Sequence, residues 1–214
     1  MAHATHLTYL TDPMCGWCYG AAPVVEQLAA HDGITLKVQP TGLFAGAGAR
    51  AQDAGFASFA WPHDQRIAQM SGQTFSEDYR TKVLGNHSRM LDSGPAGLAM
   101  TAVAMSTPEQ ELAALAAIQR ARYVEGRDIT DKTVLADILS SLGLKAAHDH
   151  LLSGDTALTS TYQKRIADGQ AAMRRFGIGG VPGILVGEGK NQRPVQTDGL
   201  FSGVKAMLTA LKAA

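Results

Sequence analysis

Two cysteines are the residues of this chain best suited to covalent chemistry. Cys15 and Cys18 are its only cysteines, and Gly16 and Trp17 lie between them. A structural disulfide framework needs several widely spaced cysteines, whereas one close pair indicates redox chemistry or metal binding. A separation of three residues also puts both sulfurs on the same face of a helix, within reach of a disulfide bond.

The neighbouring sequence places Cys15 at the start of a helix. A β-prone run over residues 5–11 stops at the turn signal Asp12-Pro13, and helical periodicity follows over residues 18–31. Unpaired N–H groups and the positive end of a helix dipole stabilise a thiolate at that position. Because only a thiolate attacks a disulfide, we predict that Cys15 is the exposed, partly ionised nucleophile. Cys18 is then the resolving thiol.

Three further residues are predicted to tune the pair. Gly16 and Trp17 separate the two sulfurs. Because the uncharged Trp17 supplies no cation to stabilise a thiolate, we expect a milder oxidant than the strongest dithiol proteins of this chemistry. We expect Trp17 at the surface as an apolar contact for a client protein. Asp12 is either a turn residue or a proton-transfer group.

The elements around the cysteines predict an α/β, thioredoxin-like fold. The first strand, the helix and a second strand over Ile34–Pro40 form a βαβ unit, with the cysteines at its first strand-to-helix turn. A helix from about Thr159 to Phe176, a hairpin and a closing helix follow. We therefore assign residues 1–43 and 159–214 to a thioredoxin-like domain, with a central mixed sheet flanked by helices.

The middle of the chain predicts an inserted all-helical subdomain over residues 44–158. Its glycine-rich entry, residues 42–55, is typical of a linker, and residues 46–153 contain no convincing strand. About 110 residues are too many for a loop within a compact domain. The predicted helices cover residues 64–70, 77–84, 95–105, 108–124 and 131–142.

Composition excludes several classes of function. Lys plus Arg equals Asp plus Glu at 19 each, so no net charge draws the chain to nucleic acid or to anionic lipid. No charge-free apolar stretch reaches the roughly 18 residues of a membrane span. The first ten residues lack the basic and apolar regions of a signal peptide, so we expect a cytoplasmic protein that contacts neither nucleic acid nor membrane.

Three segments together resemble the DsbA family of thioredoxin-fold proteins, and in particular its FrnE-like branch of disulfide oxidoreductases and isomerases. They are the motif DPMCGWCYG over residues 12–20, the helical insertion, and FGIGGVPGILV over residues 176–186. The resemblance implies that Cys15 and Cys18 form a redox-active disulfide and that no other cofactor is needed. It implies disulfide-containing proteins or small thiols as clients, and a cellular reductant as electron donor.

The resemblance also assigns a substrate-binding segment. In this family a cis-proline faces the dithiol, and the residue before it binds substrate peptides through its backbone. The matching positions are Pro182 and Val181, so we expect a cis peptide bond between them and a free Val181 backbone. Tyr9 departs from the pattern, because many thioredoxin-type proteins hold a buried acid there. In a reducing cytosol, reduction or isomerisation of disulfides is more natural than oxidation.

Other functions remain open on the sequence. A zinc site is disfavoured because His148 and His150 lie far along the chain, without zinc-finger spacing. An inert buried cysteine pair is another alternative. Kappa-type glutathione transferases and chromene-carboxylate isomerases share the fold, but they typically have serine at the position of Cys15. A non-catalytic redox sensor or adaptor is the last alternative.

Overall fold

A computed structural model describes residues 5–213 of the chain, and its six strands form two sheets. The main sheet has the strand order β2-β1-β5-β6, and the second is a two-stranded pair of β3 and β4. The strands are β1 (Thr5–Thr11), β2 (Ile34–Pro40), β3 (Arg50–Ala51), β4 (Met90–Leu91), β5 (Gly183–Val186) and β6 (Arg193–Val195).

The main sheet is mixed, as a thioredoxin-like fold requires. β1 runs parallel to β2 and antiparallel to β5, and β5 is antiparallel to β6. Side chains alternate across β1, so that Leu7 and Tyr9 join the large core while Leu10 packs with the two cysteines on the other side. The predicted fold class and its central mixed sheet are therefore confirmed.

Helices supply the remainder of the architecture. The first helix connects β1 to β2, as predicted, and its capping residue is Cys15. A π-helix over Tyr79–Leu84 and short 3₁₀ turns lie between the α-helices. The α-helices are α1 (Gly16–Ala29), α2 (Ala54–Ser71), α3 (Gly94–Ser106), α4 (Glu111–Tyr123), α5 (Lys132–Ser141), α6 (Lys145–Ser153), α7 (Thr156–Phe176) and α8 (Val204–Ala213).

The inserted region differs from its sequence prediction in three respects. It is not all-helical, because β3 and β4 pair within it; two-residue strands are too short to show a periodicity. α2 begins at Ala54 within the predicted linker, where the side chain of Asp53 caps it by accepting from Phe56 N–H at 2.8 Å. The short α6 was not predicted as a separate helix.

The insertion and the sheet share one hydrophobic core. Leu7 and Val25 from the βαβ unit belong to the same cluster of buried residues as Met100 of α3, Ile118 of α4 and Leu135 of α5. α7 lies against β2, where Gly169 leaves space for the backbone of Pro40. The domain boundaries at residues 43 and 158 stay a prediction.

Candidate active site

The two cysteines lie at the first turn of α1, directly after β1. Cys15 caps the helix in an extended conformation, and its own N–H donates to the carbonyl oxygen of Asp12 at 3.0 Å. The N–H of Cys18 donates to Cys15 Sγ at 3.4 Å, a usual distance for a sulfur acceptor. Both cysteines are free thiols. The structure thus brings together the residues that the sequence predicted as nucleophile and resolving thiol.

The predicted exposure of Cys15 is wrong. Its relative exposure is 6%, and that of Cys18 is 0%. Both pack in a small apolar cluster with Leu10, Val181 and Leu185. Partly buried side chains from α7 and from the segment after β2 pack against this cluster. The covering residues come from distant parts of the chain, so local sequence patterns could not show that they shield the sulfurs.

Burial also reverses the predicted ionisation of Cys15. A hydrogen bond with the Cys18 thiol and the loss of solvent raise the pKa of Cys15 well above its usual value, and the N–H of Cys18 only partly opposes this. The thiol of Cys15 donates to the carbonyl oxygen of Val181 at 3.4 Å. In this arrangement the nucleophile is held as a neutral thiol at neutral pH.

Val181 and Pro182 face the cysteines, and the peptide bond between them is cis. A free Val181 backbone was predicted, but its carbonyl oxygen accepts a hydrogen bond from the Cys15 thiol. Trp17 is half-buried, and its ring contacts Phe201 edge to face with centroids 5.2 Å apart. These residues line an open groove of about 540 Å³ beside the dithiol, together with Met70, Gly180, Thr197, Asp198 and Ser202.

Asp12 is fully buried and fixes the loops around the site. Its carboxylate accepts hydrogen bonds from Met14 N–H at 2.9 Å, Phe44 N–H at 3.2 Å and the Ser93 hydroxyl at 2.7 Å. Burial raises the pKa of Asp12, while these bonds lower it. Its charge also contributes to the raised pKa of Cys15. Asp12 is therefore close enough to act on the dithiol electrostatically.

Tyr9 occupies the position where the family pattern led us to look for a buried acid. Its hydroxyl donates to the Cys18 carbonyl oxygen at 3.2 Å, and its side chain is 1% exposed. Burial, followed by the charge of Cys18, raises the pKa of Tyr9 well above 10.0. Tyr9 is therefore a hydrogen-bond donor at this site and carries no charge at neutral pH.

Residues of the insertion that the sequence pattern did not indicate also reach the site. The Tyr123 hydroxyl donates to the Met14 carbonyl oxygen at 2.7 Å, and Ser93 binds Asp12. The carboxylate of Asp64 lies against Gly16. No sequence signal pointed to them, because each is tens of residues away from the cysteines and lies on an ordinary helix or cap.

No group of three or more His, Cys, Asp and Glu side chains placed to hold a metal occurs within residues 5–213. His148 and His150 both lie on α6 and contact Asp149 and Asp155 respectively. None of the helices in the described part of the chain combines the length and apolar character needed to cross a membrane.

The fold and the capped cysteine pair define a thioredoxin-fold protein with a dithiol site. A comparison with protein families agrees, since residues 7–210 match the DSBA-like thioredoxin domain. The chain belongs to the DSBA-like thioredoxin domain family and is a DsbA-like oxidoreductase. A search of curated proteins found no match.

Solved structures of this fold are similar along the whole chain. The cytosolic disulfide reductase DsbM from Pseudomonas aeruginosa is 30% identical, with a TM-score of 0.84 over 98% of this chain and 100% of that one. A second DsbM structure, determined with GSH, matches at 30% identity and a TM-score of 0.84 over 97% of this chain and 98% of that one.

A more distant structure shares the fold. A putative protein disulfide isomerase from Nitrosomonas europaea is 24% identical, with a TM-score of 0.80 over 99% of this chain and 97% of that chain.

Proposed function

We propose that this protein is a thiol-disulfide oxidoreductase that reduces or isomerises client disulfides through Cys15 and Cys18. The observation that carries the proposal is the capped pair itself. Cys15 caps α1, accepts from Cys18 N–H at 3.4 Å, and donates to the carbonyl oxygen of Val181, whose cis bond to Pro182 borders an open groove. Similarity to DsbM supports the same assignment.

The exchange proceeds by two attacks on sulfur. Cys15 loses its proton, and its thiolate attacks one sulfur of the client disulfide, so that a mixed disulfide forms and the other client sulfur leaves as a thiolate. Cys18, once deprotonated, attacks Cys15 Sγ, forms the Cys15–Cys18 disulfide and releases the second client thiolate. Two electrons pass to the client, whose thiolates take up the two protons.

The environment of the cysteine pair favours the reduction of client disulfides over the oxidation of client thiols. A dithiol is a strong oxidant when its reduced form is stabilised, as by a thiolate of low pKa. Here burial and the Cys18 thiol raise the pKa of Cys15, so that this stabilisation is lacking. We assign the protein to the cytoplasm, where such a pair is kept reduced, and this agrees with the cytosolic DsbM.

Glutathione is the reductant that we assign to the regeneration of the Cys15–Cys18 dithiol after each turnover. Two glutathione thiols reduce the Cys15–Cys18 disulfide and leave as one oxidised glutathione. The groove of about 540 Å³ beside Trp17, Val181 and Pro182 is large enough for a tripeptide, and DsbM was determined with GSH. Trp17 and Phe201 supply apolar surface for protein clients at the same edge.

Reduction of insulin and refolding of scrambled ribonuclease, both with glutathione, test the proposal. We expect wild type to be active in both assays and Cys15→Ser to lose activity more than a hundredfold. In Cys18→Ser the mixed disulfide on Cys15 cannot be resolved, so it should accumulate and appear by mass spectrometry as a covalent adduct. An active Cys15→Ser enzyme would contradict the proposal.

Conjugation assays distinguish the remaining alternatives. A kappa-type transferase would conjugate glutathione to an electrophile such as chlorodinitrobenzene, and a redox sensor would show no turnover in either assay. Cys15, where the kappa-type enzymes have serine, is the observation against the first alternative.

A further inference from the structure

A cluster of charged and aromatic side chains is buried in the inserted region, beside the active-site turn. The Tyr79 hydroxyl donates to Asp64 Oδ2 at 2.9 Å, and the Arg122 guanidinium lies 5.5 Å and 5.6 Å from the ring centroids of Tyr79 and Tyr123. Asp64 is 6% exposed and Arg122 is 2% exposed. Burying two charges carries a large desolvation cost, and the exchange steps above do not use either of them.

This cluster contacts the backbone on both sides of Cys15. The Tyr123 hydroxyl donates to the carbonyl of Met14, the residue before Cys15, at 2.7 Å. On the other side, Asp64 Oδ1 lies so close to Gly16 that a Cβ there would be 2.6 Å away from it. The absence of a side chain at Gly16 therefore lets a buried carboxylate approach the first residue of α1.

A carboxylate at this position acts against the thiolate of Cys15. The start of α1 carries the positive end of the helix dipole, which stabilises one nearby anion. An ionised Asp64 shares that field and repels a second anion at Cys15. Destabilising the thiolate lowers the fraction of Cys15 that is ionised at a given pH, and the attack of Cys15 on a disulfide becomes slower with it.

We propose that Asp64 is a positioning residue that restrains ionisation of the Cys15 thiol, by holding a buried carboxylate against Gly16 at the start of α1. The proposal rests on the proposed function, because it concerns the nucleophile of that exchange. The groups that face Asp64 are His63 on its own helix, Tyr79 of the π-helix, and Arg122 and Tyr123 of α4. Arg122 offsets part of the charge.

The influence of Asp64 on the Cys15 thiolate should depend on pH, because Asp64 itself gains and loses a proton. Burial raises the pKa of Asp64 to about 6, against the lowering effects of Tyr79, Arg122 and His63. Above that pH the carboxylate is charged and opposes the Cys15 thiolate. Below it Asp64 is neutral and the opposition disappears. A packing role alone would not depend on pH in this way.

Asp64→Asn tests the proposal, because the amide keeps the shape and removes the charge. Alkylation of Cys15 by iodoacetamide should become several-fold faster at pH 7.5. At pH 5, where wild-type Asp64 is protonated, the two rates should converge.

Asp78→Asn is the matched control, because Asp78 is an exposed carboxylate of the same region that pairs with Lys82 at 2.8 Å. We expect its alkylation profile to equal that of wild type. Tyr79→Phe gives a milder second variant: it removes the hydrogen bond that lowers the pKa of Asp64, so the pH at which Asp64 stops slowing alkylation should rise. If Asp64→Asn does not fold, this shift decides the question.

An Asp64→Asn enzyme with a wild-type alkylation rate at pH 7.5, or one whose rate differs from wild type equally at pH 5 and pH 7.5, would overturn the proposal. So would an unshifted profile in Tyr79→Phe. Alkylation is measured on the protein alone. A set of variants that follows the expected alkylation profiles, in an enzyme that reduces no client, would therefore contradict the proposed function and leave the role of Asp64 intact.

Discussion

At the scale of single residues, the reactivity of Cys15 follows from the neighbouring Cys18 thiol and from burial more than from its position at the start of a helix. The N–H of Cys18 and the dipole of α1 both favour a thiolate. The Cys18 thiol, the loss of solvent and the charge of Asp12 all oppose it, and together they prevail. A capped cysteine is therefore not sufficient for an acidic thiol.

The raised pKa of Cys15 predicts a particular pH profile. The thiolate fraction, and with it the rate of attack on iodoacetamide, should keep rising from pH 7 to pH 9, because the thiol is mostly protonated throughout that interval. Mass spectrometry after timed alkylation, with Cys15→Ser as the blank, gives the rate at Cys15. A rate that levels off by pH 7 would show that the thiol is already ionised there.

At the scale of elements, the site depends on how closely α7 approaches the sheet. The C-terminal end of α7 contributes Met173 and Phe176 to the side chains that cover the cysteines. Its distance from β2 is set at Gly169, where a Cβ would lie 2.3 Å from the carbonyl oxygen of Pro40. That oxygen belongs to the backbone and cannot turn aside as a side chain would.

Gly169→Ala should therefore push α7 away from β2. We expect a loss of about 1–3 kcal/mol in the free energy of unfolding, as for other overpacked interiors. Faster alkylation of Cys15 should accompany it, because its cover loosens. Gly179→Ala is the control, since a Cβ there meets nothing within 4 Å. Urea denaturation measures the stability, and equal stabilities for the two variants would contradict the close approach.

The same scale shows what the sequence could predict. Local patterns identified β1, α1 and β2, because each has a regular periodicity and a clear stop signal such as Asp12-Pro13. They missed the pairing of β3 with β4, which joins segments about 40 residues apart. They placed both cysteines correctly at a helix start. They could not predict the burial of the sulfurs, or Asp64 and Tyr123 beside them, because those contacts exist only after the insertion packs on α1.

At the scale of the whole molecule, the insertion and the thioredoxin-like part share a single core. Buried residues of β1, α1 and β2 belong to the same cluster as those of α3, α4 and α5. A partly buried ion pair also joins them, since Arg165 of α7 donates to Glu111 of α4 at 2.5 Å. Elements joined through one core lose their stability together.

We therefore expect the chain to unfold in a single transition, and its two tryptophans can report on the two parts. Trp17 lies on α1 beside the dithiol, and Trp61 lies on α2 in the insertion. Trp61→Phe keeps Trp17, whose fluorescence follows the thioredoxin-like part during urea unfolding. Trp17→Phe keeps Trp61, whose fluorescence follows the insertion. Within each variant, the fluorescence midpoint should equal the midpoint of helix loss by circular dichroism, because both probes follow one cooperative event. A Trp61 signal that changes at lower urea than the helical signal would show that the insertion unfolds first, and the coupling of Asp64 to the dithiol would then be lost before the sheet unfolds.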